Sequence, residues 1–573
     1  MKKFRTMLLS LLLVACVLCG MLPTSAAVAT MTGDVNGDGD VNNRDIALLQ
    51  QYLAGWDVTI TPATADVNGD GDVNNRDLAL LQQYLAGWDV ELKPAVCIQH
   101  VDDNGDTYCD LCAETVIVYV DLYGINDLHG KFEDTDEQPG VDELTTYLKN
   151  ARGENENTLF LAAGDMWQGS SESNLTYGNL LTDWMNALDF TAMALGNHDY
   201  DWGEERLEDN EEIADFPFLA INVYDAATNT RVDYCDASVM VDLGSVQIGI
   251  IGAIGDCYSS ISSDKVEDVY FKVGSDLTAL VKAESNRLRQ SGADFIVYLL
   301  HDGYGKTGSS VQSVSSSAIS SYYDTALSNG YVDLVFEGHT HQGYRLKDEY
   351  GVYHLQNRGD NQGGISHVEV AINSVTLQSE VRQVELVSTS AYTSLEDDPL
   401  VAQLLEKYAD VISKADEVLG NNRTMRNSTT IAEKVAELYY LLGEETWGDR
   451  YQIVLGGGYL STRSPYDLAA GPVQYGDLQM LLPFDNPIVL CSIKGKYLSS
   501  KFVNTSNSSY HNYYGTYGDS VKNNIKQNST YYVVVDSYTA QYAPNNLTVV
   551  EEYDPTVFAR DLLADYIAAG GWS

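Results

Sequence analysis

The chain has 573 residues, with 82 acidic and 34 basic side chains and a formal charge of −48 at pH 7. That length exceeds what one hydrophobic core organises, so several domains are expected. The acidic balance argues against binding to nucleic acid or to an anionic membrane, and any phosphate site needs its own local positive charge.

The N-terminal residues 1–29 are typical of a secretory signal peptide. Basic residues precede an apolar run, and Ala27-Val28-Ala29 offers small side chains for cleavage. A lipoprotein signal at Cys16 is the alternative, although the apolar run continues past it where a polar tether is expected. Eight cysteines in the whole chain are too few for a disulfide scaffold.

Residues 33–58 and 65–90 form a nearly identical repeat. Each copy places oxygen donors at positions 1, 3 and 5 of a twelve-residue loop, glycine at position 6 and aspartate at position 12, which is the spacing of a calcium loop. Position 7 coordinates through its backbone carbonyl. The predicted calcium ligands are Asp34, Asn36, Asp38, Asp40 and Asp45, then Asp66, Asn68, Asp70, Asp72 and Asp77.

Each loop leads into a predicted helix. In the first copy the apolar residues Ile46, Leu49, Tyr52, Leu53 and Trp56 are predicted to form one stripe. Too few residues precede the first loop for the incoming helix of an EF-hand. The pattern therefore favours a small module folded by calcium over a calcium sensor.

This repeat resembles the dockerin modules that attach enzymes to cohesins on the scaffoldins of fibre-degrading bacteria, and we place the module at residues 30–91. The resemblance implies that calcium folds the module and that a cohesin is its partner. The two sets of partner-facing residues are identical, which allows two-fold-related binding modes. They are Asn43, Arg44, Gln50 and Gln51, then Asn75, Arg76, Gln82 and Gln83.

The segment 92–114 contains four residues with the spacing of a zinc knuckle. Three other interpretations remain open: a calcium site at Asp102, Asn104 and Asp106, a disulfide, and a structured linker without metal. The four candidate zinc ligands are Cys97, His100, Cys109 and Cys112.

Between residues 115 and 390, continuous apolar runs alternate with helical patterns. Such runs are typical of buried strands in an α/β or α+β layered domain, where ligands bind at the carboxyl ends of strands. Five of the nine histidines follow these runs, together with two aspartates and an asparagine. Imidazole, carboxylate and amide without thiolate suit a metal centre.

The ordered motifs D-x-H, GD, GNHD, H and G-H-x-H resemble the calcineurin-like metallophosphoesterases, and GNHDYD with the C-terminal half resembles their secreted 5′-nucleotidase branch. The resemblance implies a four-layer α/β/β/α domain with two divalent metals of the Zn, Mn or Fe type. It assigns Asp127, His129, Asp165 and His341 to one metal and Asp165, Asn197, His301 and His339 to the other.

By the same resemblance, His198 and Asp201 are the catalytic pair. Two divalent ions lower the pKa of a water and stabilise the phosphoryl oxygens. His198, oriented by Asp201, can stabilise developing charge and assist the leaving group. Asp199 receives no role and is predicted to be a solvated turn residue. Some nucleotidases have Gln in place of His341, which affects the preferred metal.

Residues 391–421 are predicted to be a linker helix ending at Gly420, and residues 422–573 resemble the α+β substrate-binding domain of nucleotidases. In that family, a glycine loop and an L-P-F segment bind the nucleoside. The chain departs from the pattern, because Leu455 replaces an asparagine and a G-G-D-G segment is absent. The implied substrate-binding residues are Gly457, Gly458, Arg463, Phe484 and Tyr542, with Tyr538 as an alternative to the last.

The sequence thus predicts a secreted, scaffold-associated 5′-nucleotidase that acts on nucleotides or other phosphoesters. Alternatives in the same class are a UDP-sugar hydrolase, a 2′,3′-cyclic phosphodiesterase and a broad phosphomonoesterase. A non-catalytic binding protein is the alternative from another class. A glycosidase is disfavoured, because no carboxylate pair can be assigned as acid and nucleophile.

Overall fold

The structure is a computed structural model that describes residues 32–573 apart from 61, 70–71, 89, 94–115, 135–138, 305–311, 314–330, 360–363, 460–466, 505–509 and 543–545. The predicted signal peptide, the four candidate zinc ligands, Asp70 and Arg463 lie outside the described residues, as does the side chain of Tyr542. The chain forms two compact units: the residues up to Val118 with Asn373–Gln378, and Tyr119–Ile372 with Ser379–Ser573.

The N-terminal module contains helices α1 (Asn43–Leu53), α2 (Pro62–Ala65) and α3 (Asn75–Leu85). Both long helices begin with a capping box, in which a carboxylate in the first turn accepts the backbone N–H of the cap residue. Asp45 accepts this bond from Asn42 at 2.8 Å, and Asp77 accepts it from Asn74 at 2.8 Å. The residue at position 12 of each loop therefore also fixes the start of the following helix.

The apolar stripe predicted for these helices is only partly buried. Leu49 and Leu81 are fully buried in a small core, whereas Tyr52 is 41% and Trp56 64% exposed. The helix ends at Leu53, so Trp56 lies beyond it and is not part of the predicted helical stripe.

The central region is built from strands and helices in alternation. The strands are β1 (Ile117–Ile125), β2 (Thr158–Ala162), β3 (Ala192–Ala194), β4 (Phe218–Leu219), β5 (Val223–Asp225), β6 (Ser238–Asp242), β7 (Gln247–Ile254), β8 (Val269–Phe271), β9 (Phe295–His301), β10 (Gln312–Ser313), β11 (Leu334–Glu337), β12 (Tyr344–Lys347), β13 (Tyr353–Gln356), β14 (Ile365–Asn373) and β15 (Ser379–Val387). The helices are α4 (Asp142–Glu154), α5 (Ser171–Leu175), α6 (Asn179–Ala187), α7 (Glu204–Ile213) and α8 (Gly274–Gln290).

Thirteen of these strands form two large sheets within the described residues, and β5 and β8 pair antiparallel in a small separate sheet. The first has the order β15-β14-β1-β2-β3-β4, with β1 to β4 parallel. The second has the order β10-β12-β13-β11-β9-β7-β6, with β13, β11, β9 and β7 parallel. The parallel strands of each sheet end on one edge, where their following loops meet.

The sheets pack against each other and carry helices on their outer faces. Gly124 in β1 lies so close to Phe336 in β11 that an added Cβ would approach the ring to 2.5 Å. Trp184 of α6 is buried on the first sheet, and Leu277 and Val281 of α8 are buried on the second. The predicted four-layer α/β/β/α architecture is confirmed.

The C-terminal region is an α+β structure. Its strands are β16 (Val418–Asn422), β17 (Ile453–Tyr459), β18 (Gly471–Gln474), β19 (Ile488–Lys494), β20 (Tyr510–Tyr513), β21 (Thr530–Asp536) and β22 (Leu547–Glu552). Its helices are α9 (Pro399–Ile412), α10 (Ser428–Trp447), α11 (Tyr475–Leu481), α12 (Gly495–Tyr497), α13 (Gly518–Asn524), α14 (Ser537–Tyr542) and α15 (Ala559–Ala568). A five-stranded sheet of order β20-β17-β21-β19-β22 packs against α10.

The linker helix is shorter than predicted. Helix α9 begins at Pro399, directly after the cap residue Asp398, and ends at Ile412, and a single 3₁₀ turn follows. Gly420 lies in strand β16, where an added Cβ would lie 2.8 Å from the carbonyl oxygen of Ile567. The glycine therefore permits close packing of a strand on α15 and does not terminate a helix.

The described helices differ from membrane-spanning ones. None of them combines the length and the apolar character that crossing a bilayer requires.

Candidate metal centre and active site

The predicted metal ligands all come from one edge of the two sheets. In the first sheet they follow β1, β2 and β3, and in the second they end β9 or follow β11. The packing of the sheets brings these strand ends together, so that residues far apart in sequence form one site. The ligands at these strand ends are Asp127, His129, Asp165, Asn197, His301, His339 and His341.

One group of donors contains Asp127, His129 and His341, whose ligand atoms all lie within 4.8 Å of one another. The Nε2 atoms of the two imidazoles are 3.0 Å apart, and His341 Nε2 lies 3.2 Å from Asp127 Oδ1. Three converging donors of this kind are suited to one divalent cation.

The second group contains Asp165, His301 and His339, again within 4.8 Å. Asn197 joins it, since its Oδ1 atom lies 2.7 Å from His339 Nδ1 and 3.2 Å from His301 Nε2. Asp165 Oδ2 is 3.1 Å from His301 Nε2 and 4.0 Å from His129 Nε2 in the first group. The Asp165 carboxylate is thus placed to serve both groups, as a bridging ligand must.

Backbone carbonyls fix which ring nitrogen of two histidines faces the site. His129 Nδ1 lies 3.1 Å from the carbonyl oxygen of Gln168, and His301 Nδ1 lies 2.8 Å from that of Ala163. Each carbonyl can only accept a proton from Nδ1, so Nε2 is the ring nitrogen that faces the other residues of the site.

The loops that carry the ligands adopt strained backbone conformations. A positive φ is uncommon outside glycine, and such residues cluster at functional sites. Gly164 also has φ 85°, and an added Cβ there would lie 2.6 Å from His301 Nδ1. Five ligands share the left-handed region: Asp127 (φ 50°), His129 (52°), Asp165 (56°), His339 (71°) and His341 (52°).

Burial and charge shift the pKa values of these groups in opposite directions. Burial alone would raise the pKa of Asp165, but His301 and His198 hold it well below its usual range. Burial alone would lower the pKa of His301, yet Asp165 and Asp127 raise it to about 10. Burial and the charge of His301 lower the pKa of His339 to about 4. Metal binding at His301 must therefore displace a proton.

The predicted catalytic pair is in direct contact. His198 begins a short 3₁₀ turn after β3, and its Nδ1 lies 2.7 Å from Asp201 Oδ2. The His198 backbone N–H donates to Asp165 Oδ1 at 2.7 Å. Its ring is 5.4 Å from the ring of His129 and 6.0 Å from that of Phe484, measured between centroids.

Asp199, between these residues, is not the solvated turn residue that the sequence suggested. It is 1% exposed and accepts backbone N–H groups from Asp165 (2.9 Å), Met166 (3.1 Å) and Gly196 (2.7 Å). Burial and the charge of Asp165 raise the pKa of its carboxyl to about 7. Asp199 joins the loop after β2 to the loop after β3, and so holds two ligand-bearing loops together.

The predicted substrate-binding residues are only partly brought together. Phe484, between α11 and β19, is half-buried and faces His198. Gly457 and Gly458 lie within strand β17 and do not form a loop after it. An added Cβ at Gly458 would lie 2.9 Å from Thr539 Oγ1, so protein atoms already occupy that approach.

Hydrogen bonds connect the central and C-terminal regions of the second unit. Asn174 Nδ2 donates to the carbonyl oxygen of Gln479 at 3.3 Å. Gln541 Nε2 donates to the carbonyl oxygen of Ile261 at 2.9 Å, and Gln541 Oε1 accepts the backbone N–H of Ser263 at 2.6 Å. These bonds join the central region to the C-terminal region, which also carries Phe484.

Sequence reasoning missed the buried residues that support the ligands. Asp199 and Gln356 are both polar side chains at the ends of apolar runs, which is the signal that identified the ligands themselves. A polar residue at the end of an apolar run can be a metal ligand or can hydrogen-bond a neighbouring loop. The sequence pattern is the same in both cases, because only the partners of the side chain differ.

Two segments of the chain match known protein families. Residues 32–86 match the dockerin type I domain, and residues 121–343 match the calcineurin-like phosphoesterase. An apyrase of Tabanus yao is 30% identical over 281 residues, which are 47% of this chain and 45% of the apyrase. A 5′-nucleotidase of Diplobatis ommata is 24% identical over 420 residues, which are 66% of this chain and 69% of that protein.

Among solved structures, a 5′-nucleotidase precursor from Thermus thermophilus superimposes with a TM-score of 0.57 at 20% identity, over 79% of this chain and 97% of that one. The shared fold extends through the C-terminal region, beyond the segment that matches the phosphoesterase family. Residues 121–343 of the chain are thus a calcineurin-like phosphoesterase domain, and residues 32–86 are a dockerin type I domain.

Proposed function

We propose that this protein is a secreted, dinuclear metal phosphohydrolase that releases phosphate from nucleotides as a 5′-nucleotidase. The arrangement that carries the proposal is the His198–Asp201 pair, with its nitrogen–oxygen distance of 2.7 Å, next to two groups of metal donors. A structural or purely binding role needs neither the paired imidazole nor two adjacent donor groups.

The donor set fits two divalent cations. It consists of carboxylate, imidazole and amide groups without thiolate, which suits Zn, Mn or Fe. When bound, such a pair of ions lowers the pKa of a water and stabilises charge on the phosphoryl oxygens.

The protein's own contribution is orientation. Asp201 accepts the proton of His198 Nδ1, which turns Nε2 outward for the phosphoryl group. The Asp165 carboxylate fixes the backbone of His198 through its N–H. Phe484, 6.0 Å from the His198 ring, offers an aromatic face for a nucleobase. This arrangement favours nucleotides over phosphoesters without a base.

The N-terminal domain supports attachment to a cohesin on an extracellular scaffold, with calcium in both loops. Asp34 already accepts the backbone N–H groups of Asp38 (3.1 Å) and Gly39 (2.8 Å), which gathers the first loop around carboxylate oxygens. The signal peptide predicted at residues 1–29 supports secretion. The proposed location is therefore outside the cell, bound to a scaffold or cell surface.

Phosphate release tests the proposed reaction. We would measure it from AMP, UDP-glucose, 2′,3′-cyclic AMP and p-nitrophenyl phosphate after chelation and after addition of Mn²⁺ or Zn²⁺. Release that metal restores and that is fastest from AMP supports the nucleotidase. Faster release from another substrate moves the specificity, and no release with any metal contradicts the reaction.

Phe484→Ala tests the base contact. Stacking contributes about 1–3 kcal/mol per base, so we expect KM for AMP to rise about 5- to 150-fold. Ribose 5-phosphate has no base, and its KM should stay unchanged in the same variant. Equal changes for both substrates would contradict a base-stacking role.

A further inference from the structure

Gln356 is a buried amide with no predicted role that lies next to the metal centre. It is the last residue of β13 and is 0% exposed. β13 pairs in parallel with β11, with Leu355 opposite Phe336, so Gln356 lies beside the start of the loop that follows β11. That loop, residues 338–342, carries both His339 and His341.

The Gln356 side chain binds this loop at three points. Its Nε2 donates to the carbonyl oxygen of Gly338. Its Oε1 accepts the hydroxyl of Thr340 at 2.6 Å and the backbone N–H of Gln342 at 3.0 Å. The three bonds bracket both histidines, one bond on each side and one between them.

The bracketed histidines serve different donor groups. His339 belongs to the group with Asp165, and His341 belongs to the group with Asp127. Both adopt left-handed backbone conformations, and the His341 side chain is 37% exposed, so neither packing nor backbone preference alone keeps them in place. Asp127 accepts the backbone N–H of His339 at 3.0 and 2.9 Å, and the hydrogen bonds of Gln356 restrain the loop on both sides of each histidine.

The next residue extends the same restraint to the other sheet. The backbone N–H of Asn357 donates to Asn126 Oδ1 at 3.1 Å, and Asn126 Nδ2 donates to Asp127 Oδ2 at 2.6 Å. The end of β13 therefore holds the loop after β11 through Gln356 and a ligand after β1 through Asn126. One strand end sets the relative position of ligands from both donor groups.

We propose that Gln356 is a positioning residue that fixes the separation of the two metal sites by holding His339 and His341 in one loop conformation. The inference rests on the proposed dinuclear site. Two-metal sites keep their ions about 3.5–4 Å apart, and ligands must be held within about 0.5 Å of the productive geometry. Partners of metal ligands typically change affinity or activity by about 10- to 100-fold when they are replaced.

The experiment is EPR spectroscopy of the protein loaded with two equivalents of Mn²⁺. Adjacent Mn²⁺ ions that share a bridging ligand give an exchange-coupled signal, whereas separated ions give the signal of isolated Mn²⁺. Gln356→Met keeps the size of the side chain and removes all three bonds. We expect it to lose the coupled signal and to bind the second equivalent of Mn²⁺ about 10- to 100-fold more weakly.

Gln356→Glu refines the test, because it keeps both bonds to Oε1 and loses only the donor to Gly338. An intermediate coupled signal is expected. Gln247→Met is the matched control: Gln247 begins β7 at the opposite end of the same sheet and contacts Asp242 at 2.6 Å, so its coupled signal should equal that of the wild type.

The outcomes separate this inference from the proposed function. No coupled signal in the wild type contradicts the dinuclear site itself. A coupled wild type with an unchanged signal in folded Gln356→Met contradicts the positioning role. If Gln356→Met does not fold, Gln356→Glu decides in the same way, and failure of both variants to fold assigns Gln356 to domain stability and overturns the inference.

Discussion

The chain contains two kinds of candidate metal-binding region, and they are built in opposite ways. Each calcium loop gathers its donors within twelve consecutive residues and leads into one short helix. The dinuclear centre joins residues as distant as His129 and His341, which are 212 positions apart. Local donors can assemble with the ion, whereas distant donors require sheets that are already folded. Removal of metal should therefore unfold the module and leave the centre's scaffold intact.

The largest expected effect is that of His198→Ala, which distinguishes residues that bind metal from residues that take part in the reaction. His198 is not in either donor group, so His198→Ala should keep both metals while phosphate release falls about 10²- to 10⁴-fold. The measurements are turnover of AMP and metal content by mass spectrometry. His367→Gln, whose ring contacts Asp121 instead of any ligand, is the control. Unchanged turnover in His198→Ala would remove its catalytic role.

The double variant Asp45→Ala with Asp77→Ala tests the calcium loops, whose donors are close together in sequence. Each carboxylate is both the last calcium donor and the anchor of a helix start, so its loss should abolish calcium-dependent helix formation and cohesin binding. Phosphate release should be unchanged. Circular dichroism with and without calcium measures the first effect, and loss of hydrolysis in this variant would show that the two regions are not independent.

Asp199→Asn tests how the dinuclear centre, whose donors are far apart in sequence, is assembled. The wild-type carboxylate accepts three backbone N–H groups. In the asparagine side chain one of the two oxygens is replaced by an NH₂ group, which cannot accept a hydrogen bond from the backbone N–H that faces it. We expect metal affinity to fall about 10- to 100-fold with the fold retained. Titration with Mn²⁺ measures this, and an affinity equal to that of the wild type would confine Asp199 to local packing.

The smallest expected effect is a change in Tm at an acidic cluster that is not one of the two metal-donor groups. Burial and the charges of Asp134 and Asp397 raise the pKa of Asp142 to about 6. The folded protein therefore binds this proton more tightly than the unfolded chain, and stability falls as the pH rises from about 4 to about 6. Asp142→Asn should raise Tm slightly at pH 7.5.

The same substitution should leave Tm unchanged at pH 4, where the carboxyl of the wild type is mostly protonated. The gain at pH 7.5 is limited, because the first turn of α4 favours a negative charge. A lower Tm at pH 7.5 would indicate that Asp142 contributes through a cation or a hydrogen bond. This variant distinguishes an acidic cluster from a metal site.

Both candidate metal regions could be predicted from the sequence, the calcium loops more completely than the dinuclear centre. Strict spacing was enough to identify the calcium loops, because their geometry is local. The ligands of the dinuclear centre were recognisable as polar residues after apolar runs, since parallel strands of one sheet end at one edge. Asp199 was misjudged, because an acid after a strand has the same sequence pattern whether it faces solvent or backbone N–H groups.

Other errors have a similar origin. The linker helix was predicted to continue to Gly420, but it ends at Ile412, and pairing with β18 places Val418–Asn422 in a strand. Trp56 fitted the spacing of the apolar stripe, but the helix ends at Leu53 and the Trp56 side chain is 64% exposed. In each case the sequence pattern is compatible with more than one local conformation or degree of exposure, and the packing of the folded chain selects one of them.

The sequence by itself determined the repeat with its calcium donors, the alternation of strands and helices, and the set of residue types that can hold two metals. Only the tertiary structure decided that Asp199 and Gln356 hold the ligand loops, and that Phe484 faces His198. The physical reason is that donors and apolar periodicity are properties of the chain, whereas hydrogen bonds between loops depend on how the two sheets pack.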